Sequence, residues 1–210
     1  MQDKQVLNTM RYRKIRLTIV AVIGLLVLNA CTGSGASPTA GSTTRSSDPV
    51  ALAYDPSDGS LLKADRQGLY RWRTGQGWGK VALPQTADLS GVVFDPDHPG
   101  TVYISGPGLG VTRSDDGGKS WRSVNTGLPN LEVSALALHS FRRQTLYAWV
   151  RKEGIFRTED GGASWKRAPD QGPPDKDVRG LVHSTLPGSM NTGWLYALTP
   201  TGAYLSMDCF

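Results

Sequence analysis

The octapeptide Ser114-Asp115-Asp116-Gly117-Gly118-Lys119-Ser120-Trp121 returns 44 residues later as Thr158-Glu159-Asp160-Gly161-Gly162-Ala163-Ser164-Trp165. A sequence that repeats itself at this interval consists of supersecondary units that cannot bury their apolar faces alone and must stack. Both copies read Ser/Thr-x-Asp-x-Gly-x-Ser-Trp, and each lies between two strand-like stretches. The hydroxyl and carboxylate can accept backbone N–H groups inside a tight turn. The adjacent glycines supply backbone conformations that other residues reach only at a cost. The tryptophan that follows opens the next strand and can fold its ring back under the turn. Such a segment closes a hairpin; its residues are not arranged for catalysis.

The same unit can be traced four times from Pro49 onward. An inner apolar stretch reads Val50–Pro56, Ser90–Pro96, Ser134–Ser140 and, more loosely, Arg179–Ser184. Near-continuous apolar runs of this kind predict strands buried on both faces. A second strand is expected at Ser60–Ala64, Thr101–Ser105, Thr145–Trp149 and Trp194–Leu198, and a third at Gly68–Arg71, Gly110–Arg113, Gly154–Arg157 and Gly202–Leu205. The glycines opening the third set fall 42, 44 and 48 residues apart. Short strands, glycine-rich turns and the absence of helical periodicity predict an all-β fold of four-stranded repeats.

The octapeptides resemble the Asp-box, or bacterial neuraminidase repeat, of sialidases, sortilin-type receptors and photosystem II assembly-factor-like proteins. That resemblance implies a β-propeller, with the box as a peripheral turn between the third and fourth strands of a blade. Carried over position by position, the structural box residues are Ser114, Asp116, Gly118, Ser120 and Trp121, then Thr158, Asp160, Gly162, Ser164 and Trp165. The first unit keeps only a glycine turn and Trp78. The fourth stops inside its box at Ser206-Met207-Asp208-Cys209-Phe210, without a fourth strand. The expectation is therefore a propeller of about four repeats with the last incomplete, any completing strand having to come from the polar residues ahead of the domain. A complete four-bladed module and a strand lent by another molecule are the alternatives.

The 23 Lys+Arg against 18 Asp+Glu of the whole chain are unevenly placed. Lys4, Arg11, Arg13, Lys14 and Arg16 all precede the 14-residue apolar run Leu17–Ala30. A spanning helix needs about 20 residues, so residues 1–30 read as a signal peptide with a basic n-region and a short apolar core. An uncleaved anchor helix is the alternative. Leu28-Asn29-Ala30-Cys31 resembles the lipobox of bacterial lipoproteins, although Asn29 stands where a small residue is commoner. The resemblance implies cleavage before Cys31, lipidation of its sulfur, and a membrane anchor in the bacterial cell envelope, periplasmic or on the cell surface. The small and polar residues of 31–48 form a flexible tether, and residues 49–210 the folded domain. Without residues 1–30 the chain carries 18 basic and 17 acidic residues. No polybasic tract remains to neutralise a phosphate backbone, which argues against a nucleic-acid partner. If Cys31 carries lipid, Cys209 is left without an intrachain disulfide partner.

Residue types that recur from unit to unit are packing or turn devices. On that ground Tyr103, Tyr147 and Tyr196 are expected in the core, and Arg71, Arg113 and Arg157 as solvated positions beside the turns. Resemblance to sialidases would require an arginine triad, a Tyr/Glu nucleophile pair and an aspartic acid. Yet no Arg-Ile-Pro stretch precedes either box, and beyond residue 30 the only glutamates are Glu132, Glu153 and Glu159. His98, His139 and His183 have no metal-ligand spacing, and no cofactor or metal is expected. Gly106-Pro107-Gly108-Leu109-Gly110 leads into a strand and lacks the helix N-terminus of a phosphate loop. No catalytic residues are assigned. The pattern is broken by Arg142, Arg143, Arg151, Lys152, Glu153 and Asp170–Asp177, and by Trp72, Trp149 and Trp194, so blade-end loops are the places to expect a protein or glycan ligand. The reading is a non-catalytic binding or scaffold domain on an exported lipoprotein. Its alternatives are a sialidase-like glycoside hydrolase and a truncated propeller without independent function.

Overall fold

The computed structural model describes residues 50–169, 172–186 and 193–206, together with the backbone of residues 13–14. Every described element is a β-strand. After β1 (Arg13–Lys14), the chain runs through β2 (Ala51–Tyr54), β3 (Leu61–Asp65), β4 (Gly68–Arg73) and β5 (Gly77–Val81). The next four are β6 (Gly91–Phe94), β7 (Val102–Gly106), β8 (Gly110–Ser114) and β9 (Arg122–Ser123). They are followed by β10 (Val133–Leu138), β11 (Leu146–Val150), β12 (Gly154–Thr158) and β13 (Lys166–Arg167). The last three are β14 (Gly180–His183), β15 (Leu195–Thr199) and β16 (Gly202–Ser206).

The strands form four antiparallel sheets in the orders β2-β3-β4-β5, β6-β7-β8-β9, β10-β11-β12-β13 and β14-β15-β16-β1. These are the four blades of a β-propeller arrangement, each of the first three a simple meander. The fourth departs from the sequence expectation. Its outer position is taken by β1, through Arg13↔Leu205 and Lys14↔Tyr204, where the sequence pointed to the polar residues 31–48, which lie outside the described residues. The completing strand thus comes from the basic stretch ahead of the apolar run.

Successive blades pack through their inner strands, β2 against β6, β6 against β10 and β10 against β14. Period-two alternation sends neighbouring residues of one strand to opposite blades. Leu62, Ala64 and Leu69 of the first blade meet Val92, Phe94, Val102 and Ile104 of the second. Tyr103 and Val111, on the other face of the second blade, meet Val133, Leu136, Leu146, Ala148, Val150 and Phe156 of the third. Ala135, Ala137, Tyr147, Trp149 and Ile155 then meet Val178, Leu181, Leu195 and Ala197 of the fourth.

Burial on both faces holds for β10 and most of β6, but not for β2 and β14. Leu52 is 62% exposed and Tyr54 59%, whereas Val92 and Phe94, at the same register in β6, are 4% and 7%. Val182 on β14 is 56% exposed, against 2% for its counterpart Ala137 on β10. The apolar pattern is the same in all four strands; among the described residues no blade stands on the outer side of the first or the fourth.

Candidate binding cleft and the turns that frame it

Blade stacking brings residues of all four inner strands around one cleft of about 600 Å³. Val92, Leu136, Leu181 and Tyr54 contribute aliphatic and aromatic surface, and Arg143, Arg179, His183 and Ser90 are its polar lining. No aspartate or glutamate is among the lining residues. Arg143 is held from outside the cleft by a 3.0 Å ion pair with Asp97 and by donation to the His139 carbonyl. Arg179 pairs with Asp177 at 2.6 Å and stays largely solvated.

At one rim the rings of His139 and His183 stack with centroids 4.0 Å apart. His139 Nδ1 accepts the backbone N–H groups of Phe141 and Arg142 at 3.0 and 3.1 Å, and His183 Nδ1 accepts that of Ser140 at 3.1 Å. Burial, followed by the charges of His183, Arg142, Arg143 and Arg157, pushes His139 down to about 4. Burial also lowers His183. Both imidazoles therefore stay neutral near pH 7 and act as acceptors. His139 does what aspartate does in the earlier blades, where Asp55 accepts from Ser57 N and Asp95 from Asp97 N. Among the described residues no group of three or more His, Cys, Asp and Glu is placed to hold a metal ion.

The two octapeptides have nearly superimposable hydrogen-bonding. Ser114 Oγ accepts Gly118 N at 2.7 Å and donates to Asp116 Oδ1 at 2.8 Å. Asp116 Oδ1 also accepts Lys119 N and Ser120 N, while Oδ2 accepts the Ser120 hydroxyl at 2.5 Å. In the second copy Thr158, Asp160 and Ser164 make the corresponding bonds, with Gly162 N to Thr158 Oγ1 at 3.0 Å and Ser164 Oγ to Asp160 Oδ2 at 2.6 Å. The Ser164 hydroxyl, then that of Thr158, holds the Asp160 carboxyl down to about 2. Asp116 lies well below the ordinary carboxylate range, chiefly through Ser120. With its lone pairs engaged by the turn, each carboxylate is a poor general base. Gly161 and Gly162 have φ of 68° and 93°. A Cβ on Gly161 would come within 2.6 Å of Arg113 Nη1.

That contact corrects the expectation for the arginines. Arg71 is buried, with 7% exposure, and donates through Nη2 to the Gly117 carbonyl of the next blade at 3.2 Å. Arg113 does the same to Gly161 at 3.3 Å, where Tyr103 Oη also donates. They are blade-to-blade ties and not merely solvated neighbours of the turn. Burial lowers the Arg71 pKa from its ordinary value, and Asp55 and Asp58 stand 3.8 and 3.7 Å from its Nη1. The solvated reading holds in part for Arg157, which pairs with exposed Glu159 at 2.6 Å, and for Arg113, which besides its cross-blade bond pairs with exposed Asp115 at 2.6 Å. The tryptophans tie blades in the opposite direction. Trp121 Nε1 donates to Ala82 O at 3.0 Å and Trp165 Nε1 to Val124 O at 2.7 Å, each on the preceding blade. Neither link was foreseen from sequence, although the recurrence of the arginine beside each turn was the available signal.

Tyr103 and Tyr147 are buried to 1% exposure, and Tyr196 is half-buried. Of the pattern-breaking residues, Trp149 is fully buried, its indole N–H without a hydrogen-bond partner among the described residues. Trp72 and Trp194 are half-buried. Glu153 pairs with Arg167 at 2.7 Å, and Asp175 accepts the Thr201 hydroxyl at 2.7 Å. Lys152 turns the β11–β12 hairpin with φ of 65°. The loop residues are thus dispersed along the blades and do not converge on the cleft, Arg143 excepted. Cys31, Cys209, Asp170, the apolar run and the tether lie outside the described residues. No helix among the described residues is long and apolar enough to cross a membrane.

Comparison of the sequence with protein-family models and with curated proteins gives no match. Comparison of the fold with solved structures does. An ancestral GH74 enzyme matches at 18% identity over 75% of this chain and 22% of its own, with a TM-score of 0.55. YCF48 bound to D1 peptide matches at 17% identity over 77% of this chain and 51% of its own, with a TM-score of 0.58. The nidogen/laminin complex matches at 16% identity over 73% of this chain and 61% of the matched chain, with a TM-score of 0.55. The chain spans less than two thirds of each of these propeller chains, which include an enzyme and protein-binding modules. Such likeness establishes the propeller fold of this chain.

Proposed function

We propose that this chain is the binding module of an exported lipoprotein, held at a bacterial membrane through Cys31 and presenting a non-catalytic propeller to a protein partner. The observation that carries the reading is the lining of the cleft: aliphatic strands, Tyr54, two arginines and a neutral histidine, with no carboxylate. A glycoside hydrolase needs two carboxyl groups within about 5–9.5 Å of each other across the scissile bond, and the cleft provides neither. Its surface suits an apolar segment with an acidic residue within reach of Arg179 or Arg143. The likeness to YCF48 bound to a peptide and to the nidogen/laminin complex supports a protein partner over a sugar. The two Ser/Thr-x-Asp-x-Gly-x-Ser-Trp segments are read as Asp-boxes whose role is to knit blades together.

The GH74 likeness gives the competing reading, and one experiment separates them. The full chain, expressed in a lipoprotein-processing bacterium, is expected in the membrane fraction, and Cys31→Ser in the soluble fraction. Neither should release product from xyloglucan, the substrate class of a GH74 xyloglucanase of Xanthomonas campestris with a similar fold, or from a fluorogenic sialoside. Turnover above a heat-treated control would overturn the non-catalytic reading, and unchanged partitioning of Cys31→Ser would overturn the anchor.

A further inference from the structure

The two end blades expose the two halves of one repeated interface. At each internal junction, the leading face of the later blade contributes the Leu52-equivalent residue of its inner strand. That residue is Val92, Leu136 or Leu181, with exposures of 4%, 5% and 7%. The trailing face of the earlier blade contributes the residues one step along. These include Leu62 and Ala64, Tyr103 and Ser105, or Tyr147 and Trp149, all at 1% or less. The first blade presents its own leading face to solvent through Leu52 and Tyr54. The fourth presents its trailing face through Val182 and Leu198, the latter 50% exposed. Isolated apolar residues on a surface need no explanation, but these fall at register positions that are buried in the inner blades, or half-buried at Val93 and Leu138.

We infer that a second copy of this chain covers these faces, the trailing face of the fourth blade in one copy docking on the leading face of the first blade in the next. The surfaces are matched because the chain itself joins them three times, so the contact continues an interface already present within each molecule. Lys63, which replaces Ile104, Ala148 and Ala197 on the leading face, lies 4.6 Å from the Tyr70 ring and 5.6 Å from that of Trp78. Its stem covers apolar surface while its charge is already held by Asp65 at 3.1 Å, so the substitution leaves the face able to pack. Copy-to-copy docking of two different faces is heterologous. It closes a ring or continues a row according to the rotation per copy, and in either case continues the wall of the cleft. Leu52, Tyr54, Val182 and Leu198 also line the cleft, so a docked copy covers part of the surface offered to the protein partner, and association of the isolated chain tests the docking separately from that reading.

The test uses the full chain in mild detergent with reductant, followed by light scattering after size exclusion. Wild type is expected to be associated at about 10 µM. Leu52→Asp spoils only the leading face and Val182→Asp only the trailing face. Each alone is expected to be monomeric, its apparent Kd raised at least about tenfold by a charge placed in an apolar contact. Mixed one to one, the variants should form a dimer, because the intact trailing face of the first meets the intact leading face of the second. Both substitutions are at exposed positions, and an unchanged thermal midpoint checks that each variant folds. A monomeric wild type would overturn the inference and leave the faces to a different partner or to further blades. Association of either variant at wild-type strength, or a mixture that stays monomeric, would also overturn it.

Discussion

At the scale of single residues, the same task is done by different chemistry in different blades. The turn after the inner strand needs an acceptor for one or two backbone N–H groups. Asp55 and Asp95 supply a carboxylate, whereas His139 supplies an unprotonated ring nitrogen. That exchange makes the junction between the third and fourth blades sensitive to pH. His139 titrates at about 4 in the folded chain and near 6.5 when unfolded. Between those values the unfolded state binds the proton first. The stabilisation is therefore complete above pH 6.5, falls as the pH drops, and is spent below about pH 4. His183, lowered in the same direction, adds to the loss. Asp160, held at about 2, has the same sign in a lower window: its contribution is present above the unfolded value near 4 and is lost as the pH falls towards 2. Urea unfolding from pH 7 to pH 4.5 should show wild type losing about 2–3 kcal/mol through the histidines. His139→Asn keeps an acceptor without a titrating group, so its slope over that interval should shrink by at least half. An unchanged slope would show that the stacked pair does not govern this pH dependence.

At the scale of elements, the strands were legible because their environment is set locally. Glycines opening β4, β8, β12 and β16 and the alternating apolar runs place every core strand within one or two residues of its observed limits. What could not be read was anything that depends on which blade stands beside which. The buried Arg71 and the carbonyl it reaches are 46 residues apart, and an arginine next to a solvent-facing turn looks the same in sequence whether it points outward or across. The exposed β2 and β14 escaped for the converse reason. Their composition belongs to a buried strand, and only the position of the blade in the row determines their exposure. The box tryptophans make the same point quantitatively. Trp165 is 3% exposed and bonded to the preceding blade, whereas Trp78, at the corresponding turn of the first blade, is 49% exposed, with no blade before it among the described residues. Trp165→Ala is expected to cost about 3–5 kcal/mol and Trp78→Ala less than about 1 kcal/mol, measured by chemical denaturation. Trp165→Phe, retaining the ring but losing the N–H, should fall between them at about 1–2 kcal/mol. Equal costs for the two alanine variants would mean that the cross-blade contact contributes nothing beyond the hairpin.

At the scale of the whole molecule, stability is a sum over junctions. In a stacked repeat each unit draws its stability from its neighbours, so units with two neighbours should open last. The second and third blades have a packed junction on both sides, whereas the first and fourth have one each. Amide exchange should therefore be slowest along β7, β8, β11 and β12, and faster in β2 and β14. The fourth blade carries a further dependence, because its outer strand is β1, from a stretch that cleavage before Cys31 would remove. Without β1, the outward N–H groups of β16 lose their ladder and become an open edge. Comparing the full chain with one beginning at Cys31 should show faster exchange confined to Gly202–Ser206 and its hairpin partner Leu195–Thr199, with the second and third blades unchanged. Loss of protection throughout would mean that the N-terminal strand holds the whole row together. No change at β16 would mean that its pairing with Arg13–Lys14 contributes nothing to the fourth blade. The confined outcome is expected because β1 contributes two residues of pairing at the outer edge of one blade.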